Sequence, residues 1–97
     1  MDINTVQDFE EALKHGPYVW PGGYPCYFVM KDGEALSFKA AKQEKETIIK
    51  AMEDQKEGYD NDQWIPIAFE VNWEDEDLVC AHTYEKIECA YPSEENA

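Results

Sequence analysis

The sequence predicts an α+β fold, an antiparallel sheet of about five strands with two helices in the order αββαβββ. Two observations carry this. The hydrophobic period switches repeatedly between helical spacing and strict alternation, and three consecutive strand patterns with short connections follow the second helix. Short connections suit antiparallel neighbours, because a parallel pair needs a long crossover. With 97 residues, 43% apolar and 13% aromatic, the chain has material for one hydrophobic core. The expected organisation is a single α+β domain over residues 1–92 and a flexible acidic tail over 93–97.

Thr5 and Asp8 have the spacing of a capping box, and Val6, Phe9 and Leu13 share one helical face. That helix is expected to run to about Lys14. Lys14 and His15 complement its negative end, Gly16 suits a left-handed stop, and Pro17 forbids continuation. A Gly- and Pro-rich loop follows over 18–25, with Tyr18, Trp20, Tyr24 and Tyr27 expected to form a small cluster beneath it. Residues 26–31 read as a strand, Asp32-Gly33 as a two-residue hairpin turn, and 34–38 as the returning strand. From about Ser37 a second helix places Ala41, Ile48 and Met52 on one stripe and is expected to stop at Gly58.

Residues 60–62 then signal a turn. Ile65, Ile67, Phe69, Val71 and Trp73 alternate as a half-buried strand requires. Pro66 has no N–H for a ladder, so it belongs at an edge, at a bulge or at the strand's first residue. Residues 74–77 form the next corner. Residues 78–81 and 86–91 are expected to close the sheet as a hairpin around His82-Thr83-Tyr84-Glu85.

Charge is the strongest functional signal. Asp and Glu number 22 against eight lysines and no arginine, a formal net charge of −14. Without arginine the chain lacks the planar fork that reads phosphate and guanine bidentately, and its field repels polyanions, so direct nucleic-acid binding is excluded. The expected partner is a basic protein surface, drawn in by the acidic field. Acidity also serves solubility, but a solubilising surface interleaves both signs. Here residues 31–56 carry six lysines and six acids, whereas residues 57–97 carry twelve acids and only Lys86. The expected binding surface is therefore Glu57, Asp60, Asp62, Glu70, Glu74, Asp75, Glu76, Asp77, Glu85 and Glu88.

Other chemistries fit the residues poorly. Cys80, His82 and Cys89 are the candidates for a zinc site, but Cys-x-His with one distant Cys lacks the usual close ligand pairs, and Cys26 as a fourth ligand is remote. Cys80 with His82 as nucleophile and base has no third orienting group. Residues 74–77 lack the glycine and spacing of a calcium loop, and Gly22-Gly23 lacks those of a phosphate loop. The expectation is a non-enzymatic protein without a cofactor. Residues 1–5 hold no basic region or apolar run, and an odd number of cysteines, three, fits a reducing compartment. The expected location is the cytoplasm, with no membrane association.

His15-Gly16-Pro17-Tyr18-Val19-Trp20-Pro21-Gly22-Gly23-Tyr24-Pro25, the Asp32-Gly33 hairpin, and Trp73-Glu74-Asp75 leading into residues 78–91 resemble a family of short acidic phage and prophage proteins. In length and acidity the chain is similar to the DNA-mimicking type I-F anti-CRISPR proteins. That resemblance implies a phage-encoded inhibitor acting in the host bacterial cytoplasm, which occupies the DNA-binding surface of the type I-F CRISPR-Cas surveillance complex. It assigns no role to any single residue. Scale agrees with mimicry: a domain of this length has a radius of gyration near ~13 Å and so a diameter on the order of 30 Å, about one turn of duplex DNA, which carries about 20 phosphates. The alternatives are an acidic inhibitor of another host DNA-binding protein, such as a restriction or repair factor, a small zinc-dependent adaptor, and a small phage enzyme.

Overall fold

The computed structural model describes residues 1–19, 24–59, 61–75 and 77–90. Its first helix, α1 (Val6–His15), begins with the expected capping box: Asp8 N–H donates to Thr5 Oγ1 at 3.1 Å and Thr5 N–H donates to Asp8 Oδ2 at 3.2 Å. The helix buries Phe9 and Ala12 and stops at Gly16, whose φ of 83° favours glycine.

A two-residue strand, β1 (Tyr18–Val19), pairs with the start of β2 (Tyr24–Met30), which therefore begins two residues earlier than the sequence indicates. The turn after β2 is also longer than expected. Met30 N–H donates to Glu34 O and Gly33 N–H to Met30 O, both at 2.9 Å, so three residues, Lys31-Asp32-Gly33, make the connection. Gly33 takes the left-handed position at φ 88°, as a three-residue hairpin of this kind requires.

The returning strand, β3 (Ala35–Ser37), is short because the Ser37 hydroxyl accepts from Ala40 N–H at 3.1 Å and opens a helix. The single helix expected here is two, α2 (Phe38–Gln43) and α3 (Lys45–Gln55), joined at Glu44 with φ −101° and ψ 24°. The carbonyl-to-amide ladder continues on both sides of Glu44, from Ala40 O to Glu44 N and from Glu44 O to Ile48 N. No proline or glycine stands at this break, so the periodicity reads as one helix. A 3-10 turn (Asp62–Trp64) leads into β4 (Pro66–Val71).

β2 is the central strand of a three-stranded antiparallel sheet, with β3 on one side and β4 on the other. Backbone parity fixes the sides. Met30 N–H donates to Glu34 O and Cys26 N–H to Pro17 O, which places β1 and β3 along the same edge of β2. Asn72 N–H donates to Pro25 O and Lys31 N–H to Ile65 O on the other edge. Pro66 is the first residue of β4 and pairs with Met30, where the register shifts. There Ile65 and Pro66 are buried together while Ile67 is 44% exposed, so the alternation expected from Ile65 to Trp73 turns inward at Ile65, Phe69 and Val71 and fails at Ile67 and Trp73.

Phe28 is the centre of the core. Its ring lies 4.7 Å from Phe69, 5.3 Å from Phe9 and 6.4 Å from Phe38, joining sheet, α1 and α2. Aromatic contacts at such distances add to what burial alone contributes.

The expected closing hairpin is reduced to one bridge, Val79 with Lys86, flanked by Cys80 N–H to Glu85 O and Ile87 N–H to Leu78 O, both at 2.9 Å. Two further bonds leave the segment: Ala81 N–H donates to Ala35 O at 2.8 Å and Ala90 N–H to Asn72 O at 2.8 Å. Ala81 thereby covers the outer edge of β3. On the opposite side, Ile3 N–H donates to Ile67 O and Phe69 N–H to Met1 O, so residues 1–3 cover the outer edge of β4. Among the described residues, the five strands and two helices of the expectation become three sheet strands with the short β1, and three α-helices. Tyr91 and the acidic tail at 93–97 lie outside the described residues.

Candidate functional site: the acidic face of the sheet

Even-numbered residues of β2 face the core, so Tyr27 and Val29 face the other way. Tyr27 stands opposite Glu70 on β4 and Ser37 on β3, and Val29 stands opposite Ala68 and Ala35. The outer face therefore has a mostly apolar floor with Glu70 exposed beside it.

Asn72 then folds the chain back over this face. It is 3% exposed, and its Nδ2 donates to the carbonyls of Asp75 at 3.0 Å, Glu88 at 3.1 Å and Ile87 at 3.4 Å. Its Oδ1 accepts from Asp75 N–H at 3.2 Å, and Asp75 Oδ1 accepts from Asp77 N–H at 3.0 Å. The resulting corner and the sheet enclose a concavity of about 380 Å³, lined by Tyr27, Val29, Glu34, Asp75, Asp77 and Leu78 among others. No lysine lines it. Burial pushes the Tyr27 phenol above its ordinary range, and the charges of Glu70 and Asp75 push it the same way.

The cations lie elsewhere. Lys14, Lys39, Lys42, Lys45 and Lys50 stand on the helices and Lys56 at the end of α3, interleaved with helical acids. Lys45 pairs with Glu10 at 3.8 Å and Lys50 with Asp54 at 3.5 Å. The helical layer is thus mixed in sign, whereas the concavity on the sheet face has acids alone.

The described acids of the sequence reading stand in several different surroundings. Glu70, Asp75 and Asp77 gather around Tyr27, with Glu74 exposed at the same corner. Asp62 instead lies 3.6 Å from Lys31 Nζ, which offsets its charge. Glu85 and Glu88 line a separate concavity of about 290 Å³ together with Lys39 and Lys86. Glu57 follows α3 in the helical layer. Asp60 and Glu76 lie outside the described residues.

Glu34 belongs to the acidic group and was missed in the sequence, because it sits in the charge-balanced stretch 31–56. Tyr27 lies on the sheet's outer face and not in the cluster expected beneath the Gly-Pro loop, while Tyr24 packs on Trp73 with ring centroids 4.7 Å apart. Trp20 lies outside the described residues.

Cys80, His82 and Cys89 have separate surroundings. Cys80 is fully buried and its Sγ accepts from Ser37 N–H at 3.4 Å, while the exposed His82 presents its ring edgewise to Trp64 at 5.2 Å. Cys89 is half-buried. Among the described residues no three His, Cys, Asp or Glu side chains converge as a metal would require. No described helix is long and apolar enough to cross a membrane. Comparison of the chain with protein families, with curated proteins and with solved structures found no match.

Proposed function

We propose that this chain is a phage-encoded inhibitor that binds a basic protein surface by imitating DNA, and that its target is the DNA-binding surface of the type I-F CRISPR-Cas surveillance complex. The observation that supports this reading is the separation of charge. Glu34, Asp75 and Asp77, with Glu70 beside them, stand around Tyr27 without a lysine in the concavity, while six of the eight lysines stand on the helices or at the end of α3, Lys31 pairs with Asp62 and Lys86 lines the mixed concavity. These acids spring from a strand and a hydrogen-bonded corner, so their backbone positions are set in advance, and the Asp75 carboxylate is itself held by Asp77 N–H. They can therefore occupy lysine and arginine sites without the ordering cost of a mobile acidic tail.

The mechanism is competitive and requires no catalysis. Engaged cations can no longer grip target DNA. Salt weakens the association, but less steeply than it weakens DNA binding, because a protein has no condensed counterion layer to release.

The test is a gel shift of target double-stranded DNA by purified type I-F surveillance complex, with and without pre-bound protein, at low and physiological salt. Loss of the shifted band at stoichiometric protein, restored when Glu70, Glu74, Asp75 and Asp77 are replaced together by their amides, supports the reading. An unchanged shift at large excess removes this target.

A further inference from the structure

The tip of the loop at 81–85 carries a residue that its backbone disfavours. Tyr84 has φ 62°, and it is the one non-glycine residue with positive φ among those described. Its N–H donates to Cys80 O at 2.8 Å, closing a single helical turn at the position where a left-handed residue, normally glycine or asparagine, is needed. A tyrosine Cβ is crowded there. The ring gives the fold nothing in return: among the described residues Tyr84, 81% exposed, has the highest value of the large apolar side chains, and no ring packs on it.

We propose that Tyr84 is a docking residue for an arginine side chain on a basic protein partner, its ring stacking on the guanidinium plane. This deepens the preceding reading by naming the side chain the acidic protein engages. Strain held at an exposed position is characteristic of sites that act on something outside the fold, and tyrosine is enriched among the residues that anchor interfaces. A net charge of −14 draws cationic partners to the molecule as a whole. Beside Tyr84 the charge is balanced, since Glu85 and Glu88 share their concavity with Lys39 and Lys86. Local charge there cannot tell arginine from lysine. A ring can, because the flat, weakly hydrated guanidinium stacks on an aromatic face and an ammonium does so less well.

The test uses labelled octa-arginine and octa-lysine peptides of equal charge, with binding followed by fluorescence anisotropy. Wild type, Tyr84→Phe, Tyr84→Asn and Tyr84→Gly are compared, each with its melting temperature. Wild type and Tyr84→Phe should prefer the arginine peptide by about two- to fivefold. Tyr84→Asn and Tyr84→Gly should bind both peptides alike, with unchanged affinity for the lysine peptide and a melting temperature equal to or above wild type. The proposal is overturned if wild type shows no arginine preference, if the preference survives in Tyr84→Asn and Tyr84→Gly, or if both variants melt lower. The surveillance complex takes no part in this measurement. A chain that leaves DNA loading intact in the gel shift yet shows the Tyr84-dependent preference loses the earlier target and keeps this residue's role.

Discussion

Asn72 and Glu88 are joined by a 3.1 Å hydrogen bond from the buried amide to the main-chain carbonyl, across sixteen residues of sequence. The same amide reaches Asp75 and Ile87, so one side chain holds both the acidic corner and the segment that replaces the closing hairpin. Replacing Asn72 with Ala should cost about 2–4 kcal/mol, since several backbone groups lose a partner at once in a water-poor setting. Urea denaturation measures the loss, and amide exchange should accelerate first in residues 74–90. A cost below about 0.5 kcal/mol, the range of ordinary surface changes, would show that the corner is held by other contacts.

Tyr27 offers a spectroscopic test of the acidic face. Burial and the charges of Glu70 and Asp75 all favour its neutral form, so its folded pKa lies above the unfolded value. The associated stability is fully present below the ordinary tyrosine value of 10.0 and is lost as pH rises through the folded value. Ultraviolet titration of Glu70→Gln should show one phenol ionising at lower pH than in wild type. An identical curve would separate Tyr27 from Glu70.

For Cys80, burial pushes the thiol up, but hydrogen bonds from Ser37 and Thr83 together outweigh it and bring it from 9.0 down to about 7. The sign is opposite to that of Tyr27. This stabilisation is present above the unfolded value of 9.0 and is lost as pH falls through about 7. Between these limits wild type should gain roughly 2–3 kcal/mol with rising pH relative to Cys80→Ala, read from urea midpoints. Thiol labelling of the folded protein should nevertheless modify the half-buried Cys89 before Cys80 or Cys26, because both of these are buried.

Crowded carboxylates repel one another, so the acidic corner should trade stability for binding. Replacing Glu74, Asp75 and Asp77 together by Gln, Asn and Asn should weaken binding to a basic partner by more than tenfold at low salt. Single replacements should cost about threefold or less, in keeping with exposed charge contacts. The triple variant should also melt at or above wild type, as relief of like-charge repulsion predicts. A single replacement that abolishes binding would point to one specific contact instead of a field.

Local chemistry was well legible in the sequence. Thr5 with Asp8, Gly16, Ser37 and Pro66 each state a backbone requirement through their own side chain or its absence, and the structure meets each one. What stayed hidden depends on distant partners. The break at Glu44 has no breaker residue, and the register shift opposite Pro66 exposes Ile67 without altering the alternating pattern. The reduced hairpin at 78–90 follows from bonds to Asn72 and Ala35, which no window of sequence contains. The acidic site was legible as a charge excess, whereas its separation into a group around Tyr27, an ion pair at Asp62 and a mixed concavity at Glu85 follows from topology.

Ala81 on one flank and residues 1–3 on the other leave the sheet without an open ladder along β3 or β4. A strand from another molecule has no row of unsatisfied amides and carbonyls there to extend. Concentrated solutions should therefore resist fibrous self-assembly despite the exposed Ile67 and Val79. Along these two edges contact with a partner is left to side chains presented broadside.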